Sequence, residues 1–256
     1  MPLEAAWQAL RRHQLVRLSA AGWAQALAQV ANDAADDAAR DCLGHWAAHA
    51  LPLVLARQEE DPAGPCDRLW LGLPTPLCWG RQRLRLQIAR DQVLSFDELP
   101  TAADISPLLA PPLQASWRAL CDGLAGLGLQ PRVFGSHAWQ HLTGLAYLRP
   151  SSDLDLLLPV DAALQADAAA AWLEAADFAG PRLDGELVFA DGSAVAWREW
   201  LNWRARRCAQ ILVKRLDALA LVDGAGWLDR ATGGGQGGAA QIFAGQALAR
   251  QRRCTP

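Results

Sequence analysis

Lysine is almost missing from this 256-residue chain: Lys214 stands alone, and arginine supplies nearly all of the positive charge. Genomic codon bias, visible also in the many alanines, accounts for that skew. A basic excess is missing too. With a net charge of −3, the chain lacks the broad cationic surface that holds nucleic acid non-specifically, so an anionic ligand must meet a local basic cluster. Paired cysteines are absent as well. Cys42, Cys66, Cys78, Cys121, Cys208 and Cys254 are scattered without a C-x-x-C pair, which excludes a zinc ribbon or a disulfide scaffold and reads as reduced, mostly buried thiols. No run of about 18 apolar residues could span a membrane, and no basic stretch followed by an apolar core marks a secretory signal. The expectation is a soluble cytoplasmic protein with neither a membrane nor a nucleic acid as partner.

Apolar material, by contrast, is ample. Hydrophobic residues make up 52% and charged residues 20% of the chain, enough for one large core or two smaller ones. Leu15–Leu18 is a strand candidate, and residues 20–50 are alanine-rich with helical spacing. Residues 51–56 and 68–73 read as strands around the turn-prone segment 61–65. Residues 81–88 alternate Arg or Gln with apolar side chains, as a strand with one wet face does. The Pro-rich segment 97–112 reads as a linker between a module over 1–96 and a domain over 113–256. In the latter, helix is expected over 112–127, strand over 132–134, and a further helix carrying Trp139 and Leu142. Asp161 is the expected N-cap of an alanine-rich helix reaching about residue 176. Strands over 186–190 and 194–197 flank the hairpin-like Asp191-Gly192. A closing helix is expected over 200–223, ahead of the low-complexity GGGQGG at 233–238.

The chemistry concentrates between residues 134 and 158. Gly135-Ser136 follows the apolar Val133-Phe134, and seventeen residues after Ser136 come Asp153 and Asp155, entering Leu156-Leu157-Leu158. Strand alternation puts both carboxylates on one face. Two neighbouring carboxylates stay ionised most easily with a divalent cation between them. Mg²⁺ suits that position because it takes hard oxygen ligands and shares them with substrate phosphates. Gly135 and Ser136 would let the backbone approach a phosphate, with the free N–H groups of a helix start behind them.

A strand, a Gly-Ser turn, a helix and then a strand bearing Asp-x-Asp resemble the DNA polymerase beta-like nucleotidyltransferase superfamily. The string GSHAWQHLTGLAYLRPSSDLDLLL, with RHQLVRLSAAGW, LPLVLARQ, GLPTP, AVAWREW and ILVKRL, is similar to the phosphoribosyl-dephospho-CoA transferases of malonate decarboxylase systems. That resemblance covers most of the chain. It implies an α+β fold, with a small mixed N-terminal domain followed by a nucleotidyltransferase domain of mixed sheet and flanking helices. It also implies a reaction: a serine of the malonate decarboxylase acyl-carrier subunit attacks triphosphoribosyl-dephospho-CoA, and pyrophosphate leaves. Asp153 and Asp155 are then the expected catalytic, Mg²⁺-holding pair. Members of the superfamily add a third carboxylate. Glu186 and Glu199 compete for that place, with Asp184 behind them; Glu186 is favoured because strand alternation could aim it at the site.

Arg149 either reaches the triphosphate or is a solvent-exposed turn arginine. Lys214, in Ile-Leu-Val-Lys, is the favoured phosphate contact. It belongs to a run with Arg198, Arg204, Arg206, Arg207 and Arg215 that could hold phosphates, greet an acidic carrier, or simply be a solvated face. His45 and His49 share a helical face but lack the glutamate of a zinc protease; packing is favoured for them, as for His137 and His141. Trp197, Trp200 and Trp203 read as core rather than a stacking platform. Two other functions remain open. One is a nucleotidyltransferase using an ordinary NTP, the other a non-catalytic carrier-binding module.

Overall fold

The computed structural model describes Trp7 and residues 10–31, 37–59, 67–223 and 225–233. The turn at 61–65, most of the GGGQGG segment, Cys66 and Cys254 lie outside the described residues.

Short apolar segments build an antiparallel N-terminal sheet. Its strands are β1 (Leu15–Leu18), β2 (Leu53–Leu55), β3 (Arg68–Pro74), β4 (Arg83–Ala89) and β5 (Val93–Asp97), in the order β4-β3-β2-β1-β5. Strand β4 follows the alternation of its sequence: Leu86 and Ile88 are buried, while Arg83 and Arg85 are exposed. Helices α1 (Ala20–Ala31) and α2 (Asp37–Ala48) pack on this sheet, and Trp23, Leu43 and Trp46 enter its core. Strand β5 was not foreseen.

Segment 97–112, read as the linker, is itself ordered. Its first residue ends β5, and helix α3 (Ala102–Ile105) opens on a capping box between Thr101 and Asp104. Ala102, Ile105 and Leu109 are buried in the C-terminal core, which offsets the entropy of ordering the segment.

Helix α4 (Pro111–Gly126) leads to β6 (Arg132–Phe134), α5 (Gly135–Thr143), β7 (Leu154–Val160), α6 (Ala163–Ala175), β8 (Leu183–Phe189) and β9 (Ala194–Ala196). Helix α7 (Trp197–Arg204), β10 (Ile211–Lys214), β11 (Leu219–Val222) and α8 (Ala225–Gly233) complete the described chain. The second sheet runs β11-β10-β9-β8-β7-β6, and only β7 and β8 pair in parallel. Two expectations fail here. The helix over 200–223 ends at Arg204, since Arg206 takes a φ of 58°, and Ile211-Leu212-Val213 alternates as a strand. Asp161 does not cap α6: the cap position is Ala162, and the Asp161 amide donates to Gln165 instead.

Strand β7 separates two environments. Leu154, Leu156, Leu158 and Val160 face the helix-lined core. Asp155 and Leu157 face the other way, and Leu157 packs with Trp139 and Tyr147 into the N-terminal core. Tyr147 Oη donates to the Pro74 carbonyl at 2.7 Å, and the Leu77 amide donates to the Ala146 carbonyl at 2.9 Å. The carboxylate-bearing face of the second sheet therefore looks toward the N-terminal unit. No helix among the described residues is long and apolar enough to cross a membrane.

Candidate active site

The Gly-Ser turn and Asp155 are built for each other. Gly135 opens α5 at φ 67°, and a Cβ placed on it would lie 2.0 Å from Asp155 Oδ2. Only glycine leaves that space to the carboxylate. Register sets the neighbours: Phe134 lies opposite Asp155 on one side, and Asp184 lies opposite it on the other. The next pair, Leu156 and Gly185, explains why two acidic strands can sit so close. Gly185 has φ 144°, and a Cβ there would fall 2.0 Å from the Leu156 carbonyl oxygen.

These acids are unequal. Burial, and then the charges of Asp184, Asp153 and Glu186, push the Asp155 carboxyl up to about 7. Asp153 is held below the usual range, first by its hydrogen bonds to Arg182. Arg182 Nε donates to Asp153 Oδ1 at 3.0 Å, and Nη2 donates to Asp153 Oδ2 at 2.6 Å and to Asp184 Oδ2 at 3.3 Å. From below, buried His137 donates Nδ1–H to the Asp153 carbonyl at 3.1 Å. Burial lowers the pKa of that ring, and the hydrogen bond makes His137 a support of the Asp153 backbone.

Glu186, expected as the third metal ligand, has other partners. Both its oxygens are engaged: Lys214 Nζ lies 2.9 Å and Arg12 Nη2 3.3 Å from Oε1, and His13 Nε2 lies 3.2 Å from Oε2. Burial alone would raise its pKa, but His13, Arg12 and Lys214 outweigh burial and hold it at about 2. The carboxylate beside Asp155 is Asp184. Glu199 is exposed in the first turn of α7. Lys214 thus meets the Glu186 carboxylate in the site's flank. Arg149 is exposed, and its turn is closed by Ser152, whose Oγ accepts from the Arg149 amide at 2.9 Å. Ser136 lies in the first turn of α5, half-buried, next to the notch.

Several members of the basic run have partners of their own. Arg198 donates to the Leu183 carbonyl and lies over Trp197, Arg204 pairs with Asp167, and Arg215 pairs with Asp191. Trp197 and Trp200 are core residues, as their spacing suggests. His45 and His49 stack on each other beside Trp46 and Trp79. Sequence reading missed Arg12, His13 and Arg182. Arg12 and His13 lie some 170 residues from Glu186, so no local spacing points to them. The alternation Asp184-x-Glu186 did signal that Asp184 shares the Glu186 face.

Among the described residues no three His, Cys, Asp or Glu side chains converge into a ready-made metal cage. Mg²⁺ needs none: it is commonly held by one or two carboxylates together with substrate phosphates and water. Besides burial, the crowding of Asp184 and Asp153 around Asp155 raises its pKa despite Arg182, and a cation there would relieve that repulsion, so the residues fit the ion.

A mixed sheet that presents paired aspartates against a glycine notch, facing a second domain, is the arrangement of a group-transfer enzyme. The chain belongs to the phosphoribosyl-dephospho-CoA transferase family and is a transferase. Residues 11–98 match the family described as phosphoribosyl-dephospho-CoA transferase MdcG N-terminal domain, and residues 98–225 match its MdcG C-terminal domain. A phosphoribosyl-dephospho-CoA transferase of Xanthomonas campestris pv. campestris is 36% identical over 212 residues, 82% of this chain and 93% of that protein. One of Bradyrhizobium diazoefficiens is 36% identical over 228 residues, 87% of this chain and 94% of its own length. A Pseudomonas aeruginosa relative of the same name is 30% identical over 194 residues, 70% of this chain and 82% of that protein. No solved structure matches the chain.

Proposed function

We propose that this enzyme transfers the phosphoribosyl-dephospho-CoA group from triphosphoribosyl-dephospho-CoA to a serine of the malonate decarboxylase acyl-carrier subunit, with Mg²⁺ as cofactor, in the cytoplasm. Asp155 supports the reading most directly: a carboxylate pressed against the Gly135 notch, among acidic neighbours, with its pKa pushed to about 7. Asp153 and Asp155 would hold the cation, and Asp184, in register with Asp155, lies closer to that pair's face than the ion-paired Glu186. The bound cation would neutralise the triphosphate and stabilise the charge on both the attacking and leaving oxygens.

The chain's own residues do the positioning. Gly135 and Ser136, with the free N–H groups of the α5 start, receive phosphate oxygens; Lys214 and Arg149 are the cations assigned to the donor's further phosphates. The carrier serine oxygen forms a bond to the α-phosphorus. The bond from that phosphorus to the bridging oxygen breaks, pyrophosphate leaves with the electron pair, and the hydroxyl proton is lost to water. Catalysis then rests on orientation and electrostatics. The N-terminal unit, lying over the carboxylate face, would bound the donor or the carrier.

Pyrophosphate release checks the reading. It should require the donor, the apo-carrier and Mg²⁺ together, and vanish when the carrier serine is replaced by alanine. Equal release from ATP would favour a transferase of ordinary NTPs instead.

A further inference from the structure

Arg182 is rooted firmly and ends loosely. Its carbonyl accepts from the Leu154 amide at 2.9 Å, fixing the backbone at the start of β8. Its side chain is 60% exposed and forks onto both oxygens of Asp153, with a further contact to Asp184. In the reading given above those oxygens belong to a divalent cation. Direct ligation by Mg²⁺ demands short, nearly octahedral oxygen contacts, and a bidentate guanidinium leaves Asp153 no free edge to offer. The two cations compete for the same lone pairs and repel each other.

The pair is bidentate but open to solvent, which screens its attraction, so an ion of twice the charge can displace it. The released guanidinium stays tethered to the rim of the site. Its planar fork matches a phosphate as well as it matches a carboxylate. Neighbouring Arg198 is differently placed: it is fastened to the Leu183 carbonyl and lies over the Trp197 ring. Arg182 is therefore the arginine free to change partners at the moment a triphosphate arrives with its metal.

We propose that Arg182 is a triphosphate-binding residue of the donor site, held in reserve on Asp153 and Asp184 until a divalent cation takes their oxygens. The proposal rests on the reading of these aspartates as a metal site. It also assigns Arg182 two opposing effects: it weakens metal binding by the empty enzyme and strengthens phosphate binding by the metal-loaded one.

Full-length wild-type protein, Arg182→Met and Asp153→Asn are titrated with Mn²⁺ alone, reading free Mn²⁺ by electron paramagnetic resonance. Inorganic tripolyphosphate is then titrated calorimetrically at saturating Mg²⁺. Arg182→Met should bind Mn²⁺ about fivefold more tightly than wild type and tripolyphosphate about tenfold more weakly. Asp153→Asn should lose Mn²⁺ affinity. Equal or weaker Mn²⁺ binding by Arg182→Met overturns the proposal and leaves the metal site standing, as does tripolyphosphate binding that ignores the substitution. Absence of Mn²⁺ binding in both wild type and Arg182→Met overturns the metal site itself, and this proposal with it.

Discussion

Asp155 carries two opposed demands. Burial and three acidic neighbours disfavour its charge, yet the proposed chemistry needs that charge. The consequence for stability has a definite sign. A carboxyl raised from 3.8 to about 7 binds its proton more tightly in the folded chain than in the unfolded one. Its stabilising contribution is complete at low pH and is lost as pH rises toward about 7. Metal-free protein should therefore lose Tm on this account between pH 4 and 7, Mg²⁺ should restore it most at the alkaline end, and Asp155→Asn should flatten both effects in differential scanning fluorimetry. In carrier-modification assays, Asp155→Asn or Asp153→Asn should reduce turnover by at least about 10²-fold with the fold retained.

At the scale of elements, two glycines make the site possible. Gly135→Ala would put a methyl where the Asp155 carboxylate sits and force a left-handed φ on alanine. It should destabilise the chain by about 1 kcal/mol and, by displacing Asp155, slow transfer by about 10²-fold. Gly185→Ala meets backbone rather than a side chain, the Leu156 carbonyl. It should pry β7 from β8 and destabilise by at least about 2 kcal/mol in urea unfolding. Such local features were legible in the sequence, because a Gly-Ser turn and an Asp-x-Asp alternation are written in neighbouring residues. The strand content of 211–222 was not. Tryptophans spaced by three at Trp197, Trp200 and Trp203 give a helical period that is real but stops at Arg204, and nothing in that period marks where it ends. The segment 97–112 reads as a linker from its prolines, and nothing in that composition shows that Ala102, Ile105 and Leu109 are buried anchors.

Across the whole molecule, Glu186 joins the two halves. The turn before β1 brings Arg12 and His13 to a carboxylate that β10 also reaches through Lys214, while His13 stacks on Phe134 at 4.3 Å. This contact was illegible in the sequence, since it depends on how the N-terminal sheet lies over the C-terminal one. The Glu186 pKa of about 2, below the ordinary 4.5, gives the opposite pH sign from Asp155. The stability it supplies is full above about 4.5 and is lost as pH falls toward 2. Glu186→Gln leaves Arg12 and Lys214 without their shared anion, and should destabilise by about 3 kcal/mol at pH 7 but by much less at pH 2. Chemical denaturation at the two pH values reads the difference.

The aspartate cluster against the Gly135 notch is, in the function proposed here, where the prosthetic group changes hands. Intact-mass spectrometry of the apo-carrier, after incubation with donor, Mg²⁺ and either wild-type enzyme or Asp155→Asn, tests it most directly. The carrier should gain one phosphoribosyl-dephospho-CoA group with wild type and stay unmodified over the same interval with the variant. An unmodified carrier with wild type, or equal modification by both, would contradict it.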